Sequence, residues 1–188
     1  MECYFFGTFN PPHKGHIELA KKVLDEFNFE KIIFVPSNVP PHKSEFIEGF
    51  HRFNMLKLIE EEKIKVSDIE LKMDIPSYTY KTVEKLLGDN KKLNFIIGFD
   101  AFKNIETWKN PEYLKEKLHF IVLKRRGDKK EEIEKLKLKG YDFIIADNID
   151  MVDVSSTEIR KKIQNNENIN NLIDGKVKRY IEENGLYR

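Results

Sequence analysis

What most constrains this chain is the order in which short apolar runs and helical stretches follow one another. Residues 3–6 are apolar and end at Gly7. Residues 15–27 then place Ile17, Leu19, Ala20, Val23, Leu24 and Phe27 at helical spacing. A second apolar run, 32–35, stops at Pro36 and opens a proline-rich loop, 36–49. Beyond it the spacing predicts a helix over 50–62, a strand over 66–71, and a helix over 77–87 closed by Gly88. A strand over 93–97 ending at Gly98 follows, then strands over 120–123 and 143–146, and two closing helices over 156–164 and 173–183. The strand cores are apolar throughout rather than alternating. Strands of that kind, alternating with helices, predict an α/β fold with a parallel sheet covered on both faces. In such sheets ligands bind beyond the carboxyl ends of the strands, so chemistry is to be sought in the loops after Phe6, Val35, Ile97 and Leu123.

The 188 residues suit one domain, 1–188, and are enough to bury a core without staples. The single cysteine, Cys3, excludes an internal disulfide framework and a four-thiolate zinc site. Charged residues make up 35% of the chain, but 33 basic and 32 acidic side chains nearly cancel, leaving +1. That balance argues against a broad nucleic-acid-binding surface. There is no apolar run of membrane-spanning length, and the first residues lack the basic and apolar regions of a signal peptide. The expectation is a cytoplasmic protein with no membrane and no nucleic-acid partner, and the sequence leaves a homo-oligomer open.

The loop after the first strand is GTFNPPHKGH, residues 7–16, and it opens a helix. The free N–H groups and positive dipole end of that helix make an anion site. His13 and His16 stand three apart, so both can face one side of its first turn, and with Lys14 they would suit a phosphate. On spacing alone, a surface turn with two incidental histidines fits equally well. The loop is neither a dinucleotide fingerprint nor a Walker A loop. No further ligands support a zinc site at the two histidines, so no protein-held metal is expected there.

FGTFNPPHKGH nevertheless resembles the H-x-G-H loop of the nucleotidyltransferases with a Rossmann-like core. VSSTEIR, residues 154–160, resembles the second motif of that superfamily, S-S-T-x-I-R. VPPHK at 39–43, PSYTYKT at 76–82, IIGFD at 96–100, Trp108 and the tail KVKRYIEENGLYR are similar to the bacterial nicotinate-nucleotide adenylyltransferases, in the same order along nearly the whole chain. Two positions depart from the family pattern. Phe6 stands where a glycine is usual and either enters the core or narrows the pocket. Phe99 stands where a small residue is usual.

The resemblance implies transfer of AMP from ATP to nicotinate mononucleotide, giving nicotinate adenine dinucleotide and pyrophosphate, in NAD biosynthesis. A phosphate nucleophile needs no general base, so catalysis would rest on positioning and on donors for the leaving group. The resemblance implies catalytic roles for His13, His16 and Arg160. For ATP it implies Gly7, Thr8, Phe9, Gly15, Lys43, Gly98 and Asp100, with Ser155, Ser156 and Thr157 at the second helix N-terminus. Ser155 and Glu158 also have capping-box spacing, which a plain capped helix would share. For the mononucleotide it implies Asn10, His42, Thr79 and Trp108, the last by stacking on the pyridine ring. Asp100 on its own would equally be a helix cap. Tyr78, Tyr80, His51 and His119 are expected to be structural, and Arg52 to serve the loop. Lys124 and Arg125 would touch adenine through their backbone. Mg²⁺ is expected to accompany ATP without a dedicated protein cage. The alternatives are another phosphorylated acceptor such as nicotinamide mononucleotide, a nucleotide-binding regulator without turnover, and an RNA-binding fragment. The intact motifs disfavour the regulator, and the near-zero charge disfavours the RNA binder.

Overall fold

The computed structural model describes residues 1–40, 46–73, 76–88, 91–124, 127–149 and 154–188. Six strands run parallel in one sheet: β1 Glu2–Gly7, β2 Lys31–Pro36, β3 Ile64–Val66, β4 Leu93–Gly98, β5 Leu118–Leu123 and β6 Phe143–Ala146. Their order is β3-β2-β1-β4-β5-β6. Parallel neighbours cannot be joined by hairpins, so helices carry the chain back between them. These are α1 Lys14–Phe27, α2 Gly49–Lys57, α3 Thr79–Leu87, α4 Phe99–Lys103, α5 Pro111–Lys117 and α6 Glu131–Leu138. Helices α7 Ser156–Gln164 and α8 Gly175–Glu183 close the chain. The result is an α/β, Rossmann-like fold.

Alternation along the strands divides the core. Cys3, Phe34, Ile96 and Ile121 pack with Leu19, Ala20, Val23 and Leu24 of α1 on one face. Tyr4, Val35, Phe95, Ile97 and Phe120 pack on the other, against Val83, Phe102, Leu114 and Ile133 from α3 to α6. A strand residue on either face is covered, which is why these runs are continuously apolar. Met55 of α2, Ile159 of α7, and Val177 and Ile181 of α8 form a third cluster beside the sheet.

Several expected boundaries move. The helix expected over 50–62 ends at Lys57. Glu60 then accepts a hydrogen bond from Val66 N–H at 2.8 Å, and Glu61 bridges antiparallel to Ile64, so the chain turns where periodicity alone would continue. The strand expected over 66–71 is instead β3, and it is only three residues long. Ser67 N–H makes a last bond to Phe34 O, after which the chain bends. The helix expected from 77 starts at Thr79, because Ser77 accepts from the N–H groups of Asn38 and Val39 instead. The last helix starts at Gly175 rather than 173, where Asp174 Oδ1 accepts from Lys176 N–H at 2.8 Å. No helix among the described residues is long and apolar enough to cross a membrane.

Candidate functional site

The strand order reverses between β1 and β4, so their carboxyl ends, Gly7 and Gly98, flank the crevice where such sheets bind ligands. Gly7 is required by its own neighbour. A Cβ there would lie 2.7 Å from Phe9 Cζ. Phe9 takes φ +50 and turns its ring into the core, at 3% exposure, against Phe5, Phe34 and His16. Phe9 can therefore offer a ligand only its backbone. Gly98 is different, because a Cβ there would meet nothing within 4 Å. None of the described residues fills that space.

His13 is the N-cap of α1 and His16 its third residue. His13 N–H donates to His16 Nδ1 at 3.2 Å, and the two rings stack with centroids 3.6 Å apart. His13 is buried, and burial lowers its pKa to about 4 from an ordinary 6.5. At neutral pH it is an uncharged donor, not a cation. Gly15 is buried within the same turn. Lys14 does not join the pair as the spacing suggested. Its backbone N–H bonds to Leu172 O, which turns its ammonium toward Asn170 O at 3.2 Å.

The second motif meets this loop across some 150 residues of sequence. Arg160 Nη1–H donates to Asn10 O at 2.9 Å, and Ser156 Oγ–H donates to Pro11 O at 2.8 Å. Ser155 caps α7 by accepting from Glu158 N–H at 3.1 Å. Thr157 Oγ1 accepts from Arg160 Nη2–H at 3.3 Å. Asn10 is 4% exposed, and its Oδ1 accepts from Tyr187 O–H at 2.8 Å. The N-termini of α1 and α7 thus meet on one loop.

Beside that loop lies a cavity of about 210 Å³. Phe6, Gly7 and Thr8 form one wall, and Tyr78, Thr79 and Trp108 another. Phe6 does both things its position allows, since its ring packs 4.9 Å from Phe95 and also lines the cavity. Trp108 follows a 3-10 turn, Ile105–Thr107, and is half-buried. Tyr78, expected to be packing only, lines the cavity. Phe99 is buried in the core. Asp100 is exposed in the first turn of α4 and is not its cap, which is Gly98. Pro41, His42, Lys43 and Arg125 lie outside the described residues.

Sequence reasoning missed Glu70, which is 2% exposed and lines the same cavity. Thr82 Oγ1–H donates to it at 2.7 Å. Burial raises its pKa, against the pull of hydrogen bonds from Ser77 and Thr82 and the charge of Arg52. Arg52 is fully buried and donates to the carbonyls of Thr8, Asn38 and Ile47 at 2.8–2.9 Å. His51 bonds Tyr180, and His119 bonds Asp142, both as structural contacts. Among the described residues no cluster of three histidine, cysteine or acidic side chains could hold a metal.

A cytidylyltransferase-like family model matches residues 4–162. The chain is 41% identical to a probable nicotinate-nucleotide adenylyltransferase of Clostridium tetani, over 100% of this chain and 98% of that one. It is 38% identical to the nicotinate-nucleotide adenylyltransferase of Bacillus subtilis, over 97% and 96%. The Plasmodium falciparum nicotinic acid mononucleotide adenylyltransferase complexed with NaAD shares the fold at TM-score 0.79 and 24% identity, over 99% of this chain and 96% of that one.

Proposed function

The chain belongs to the nicotinate-nucleotide adenylyltransferases of the cytidylyltransferase-like family, and we propose how its residues carry out that family's transfer of AMP from ATP to nicotinate mononucleotide. The observation that carries the assignment of roles is the meeting of α1 and α7 on one loop beside the Thr79–Trp108 cavity. The ATP phosphates lie over that loop, where two helix N-termini point N–H groups at one place. Gly7, Thr8, Phe9 and Gly15 offer backbone there, and Gly98 leaves room for the nucleoside. His13 and His16 donate to the phosphates, with His16 nearest the transition state. Arg160, Ser155, Ser156 and Thr157 serve the β- and γ-phosphates, and Lys43 is assigned to them as a further cation.

Nicotinate mononucleotide occupies the cavity, its ring against Trp108 and its carboxylate toward Thr79, with His42 and the Asn10 backbone at the edge. A 5′-phosphate oxygen bonds to the α-phosphorus as the bond to the β-phosphate bridging oxygen breaks. Pyrophosphate leaves with the electron pair, and no proton transfer to a side chain is required. This suits a site of hydrogen-bond donors, cations and helix dipoles, where no general base is called for. A divalent cation, Mg²⁺, would arrive on the phosphates and neutralise developing charge. The exposed carboxylate of Asp100 fits a water-mediated contact with it. The proposal treats 1–188 as one domain working in the cytoplasm.

Incubation with Mg-ATP and either mononucleotide, following pyrophosphate, tests this. Release with nicotinate mononucleotide and much slower release with the nicotinamide form is expected, since donors built for a carboxylate go unpaired against an amide. No release with the nicotinate form would refute the assignment, and equal rates would refute the carboxylate site.

A further inference from the structure

The reaction proposed above needs two nucleotides held end to end, one over the loop after β1 and one in the cavity. Arg52 touches the walls of both. It sits on α2, fully buried, with its three donor directions divided among three separate segments. Nη1–H donates to Thr8 O at 2.8 Å, Nη2–H to Asn38 O at 2.9 Å and Nε–H to Ile47 O at 2.9 Å. Thr8 opens the loop that leads to the histidines. Asn38 stands between Ser37 and Pro40, which line the cavity. Asn38 N–H in turn donates to Ser77 Oγ at 2.8 Å, just before Thr79 starts α3. The start of α2 is pressed onto the same residue, since a Cβ on Gly49 would come within 2.7 Å of Asn38 Oδ1.

We propose that Arg52 is a positioning residue for adenylyl transfer: by tying the carbonyls of Thr8, Asn38 and Ile47 to one planar guanidinium, it fixes the separation between the phosphate loop and the mononucleotide cavity. The inference rests on the function proposed above. A rigid fork meets three carbonyls at set angles, whereas a lysine ammonium is a single point on a flexible stem. Simple filling of the space would not call for a charge, because burying one is unfavourable without compensation. Here that compensation comes from the three carbonyls, with the Glu70 side chain acting on the same charge from a distance. In-line attack is sensitive to such spacing, and a displacement of about 1 Å can lower a rate on the order of 100-fold.

The test is steady-state kinetics on Arg52→Lys and Arg52→Ala beside the unaltered protein, below the melting temperature of each. The expected result is a kcat lower by about 10- to 100-fold with KM for each substrate changed by less than about three-fold. Added guanidinium should restore part of the lost kcat to Arg52→Ala. An unchanged kcat, or a loss confined to KM, would overturn the proposal. If the unaltered protein releases no pyrophosphate, it is the underlying reaction that fails. Should neither variant fold, hydrogen exchange on the unaltered chain decides. Segments 8–10, 38–39 and 46–48 should open at one common rate, and independent opening would overturn the proposal.

Discussion

The buried state of His13 makes a measurable demand on stability. Its pKa falls from 6.5 to about 4 because burial disfavours the charged ring. The unfolded chain binds this proton more readily than the folded one. The stability that the neutral ring provides is therefore complete above pH 6.5 and is lost as pH falls toward 4. Each pKa unit corresponds to about 1.4 kcal/mol, so the full loss is about 3 kcal/mol. Between pH 8 and pH 5 it is about 2 kcal/mol, because at pH 5 an unfolded histidine is nearly all protonated while His13 is nearly all neutral. The perturbation is His13→Gln, a side chain of similar reach that does not titrate. Urea unfolding at pH 8, 6.5 and 5 gives the loss on acidification for each protein, and subtracting the variant's loss removes every other titrating group. The expected difference is about 2 kcal/mol, with the unaltered protein losing more. If the two losses agree within about 0.5 kcal/mol, His13 is not held neutral by burial and the electrostatic picture of the loop is wrong.

Two further substitutions test how the loops are built. Gly7→Ala places a Cβ 2.7 Å from Phe9 Cζ, and that ring is hemmed in by Phe5, Phe34 and His16. A loss of about 1–3 kcal/mol in urea unfolding is expected, and an unchanged midpoint would mean that the ring has room to move. Ser155→Ala removes the acceptor for Glu158 N–H at the start of α7. It should lower stability by about 1 kcal/mol in thermal melting, and a melting temperature equal to that of the unaltered protein would rule out the cap.

How much of this was legible in the sequence depended on the length of the signal. The runs at 3–6, 32–35 and 95–97 lie in central strands covered on both faces and stand out as apolar residues, and the run at 143–146 stands out likewise although its edge position leaves Ile144 exposed. The helix over 156–164 was bounded correctly, because Ser155 and Glu158 mark its start in the sequence as they do in the hydrogen bond. Helices α4 and α5 have five and seven residues, too few for a period to show. Of the strand expected over 66–71, only Val66 lies in the sheet. Ile69 packs onto the core and Glu70 also turns inward from an irregular bend, which a strand, with adjacent side chains on opposite faces, would not do. Glu70 and the role of Ser77 could not be found this way, since a carboxylate and a hydroxyl that hold backbone leave no spacing pattern. The histidine pair was visible as H-x-x-H. The neutrality of His13 was not, because its burial arises from tertiary packing, including the stack of its ring on His16, which Phe5 and Phe9 in turn hold edge-on.

A chain with a net charge of only +1 has to hold a polyanion without a basic surface, and the arrangement around the first loop indicates how. An N-terminal loop presents carbonyl oxygens as well as N–H groups, and carbonyls aimed at a phosphate would repel it. In this loop the carbonyls of Thr8, Asn10 and Pro11 are each engaged by another part of the chain: Arg52, Arg160 and Ser156. Two of those partners are guanidinium groups, which remain charged at any physiological pH. Arg52 holds the loop from inside, where its charge is screened less than in water, and Arg160 is half-buried, where it can also meet a ligand. The N–H groups of α1 and α7 are left to face the ligand, and the dipoles of both helices add to the same positive potential. A neutral His13 fits this arrangement better than a protonated one, since a third cation behind Arg52 and Arg160 would be expensive to bury before any phosphate arrived. On this account the proposed phosphate site relies on oriented dipoles, one buried charge at Arg52 and a half-buried one at Arg160, and the surface of the protein can stay near neutral.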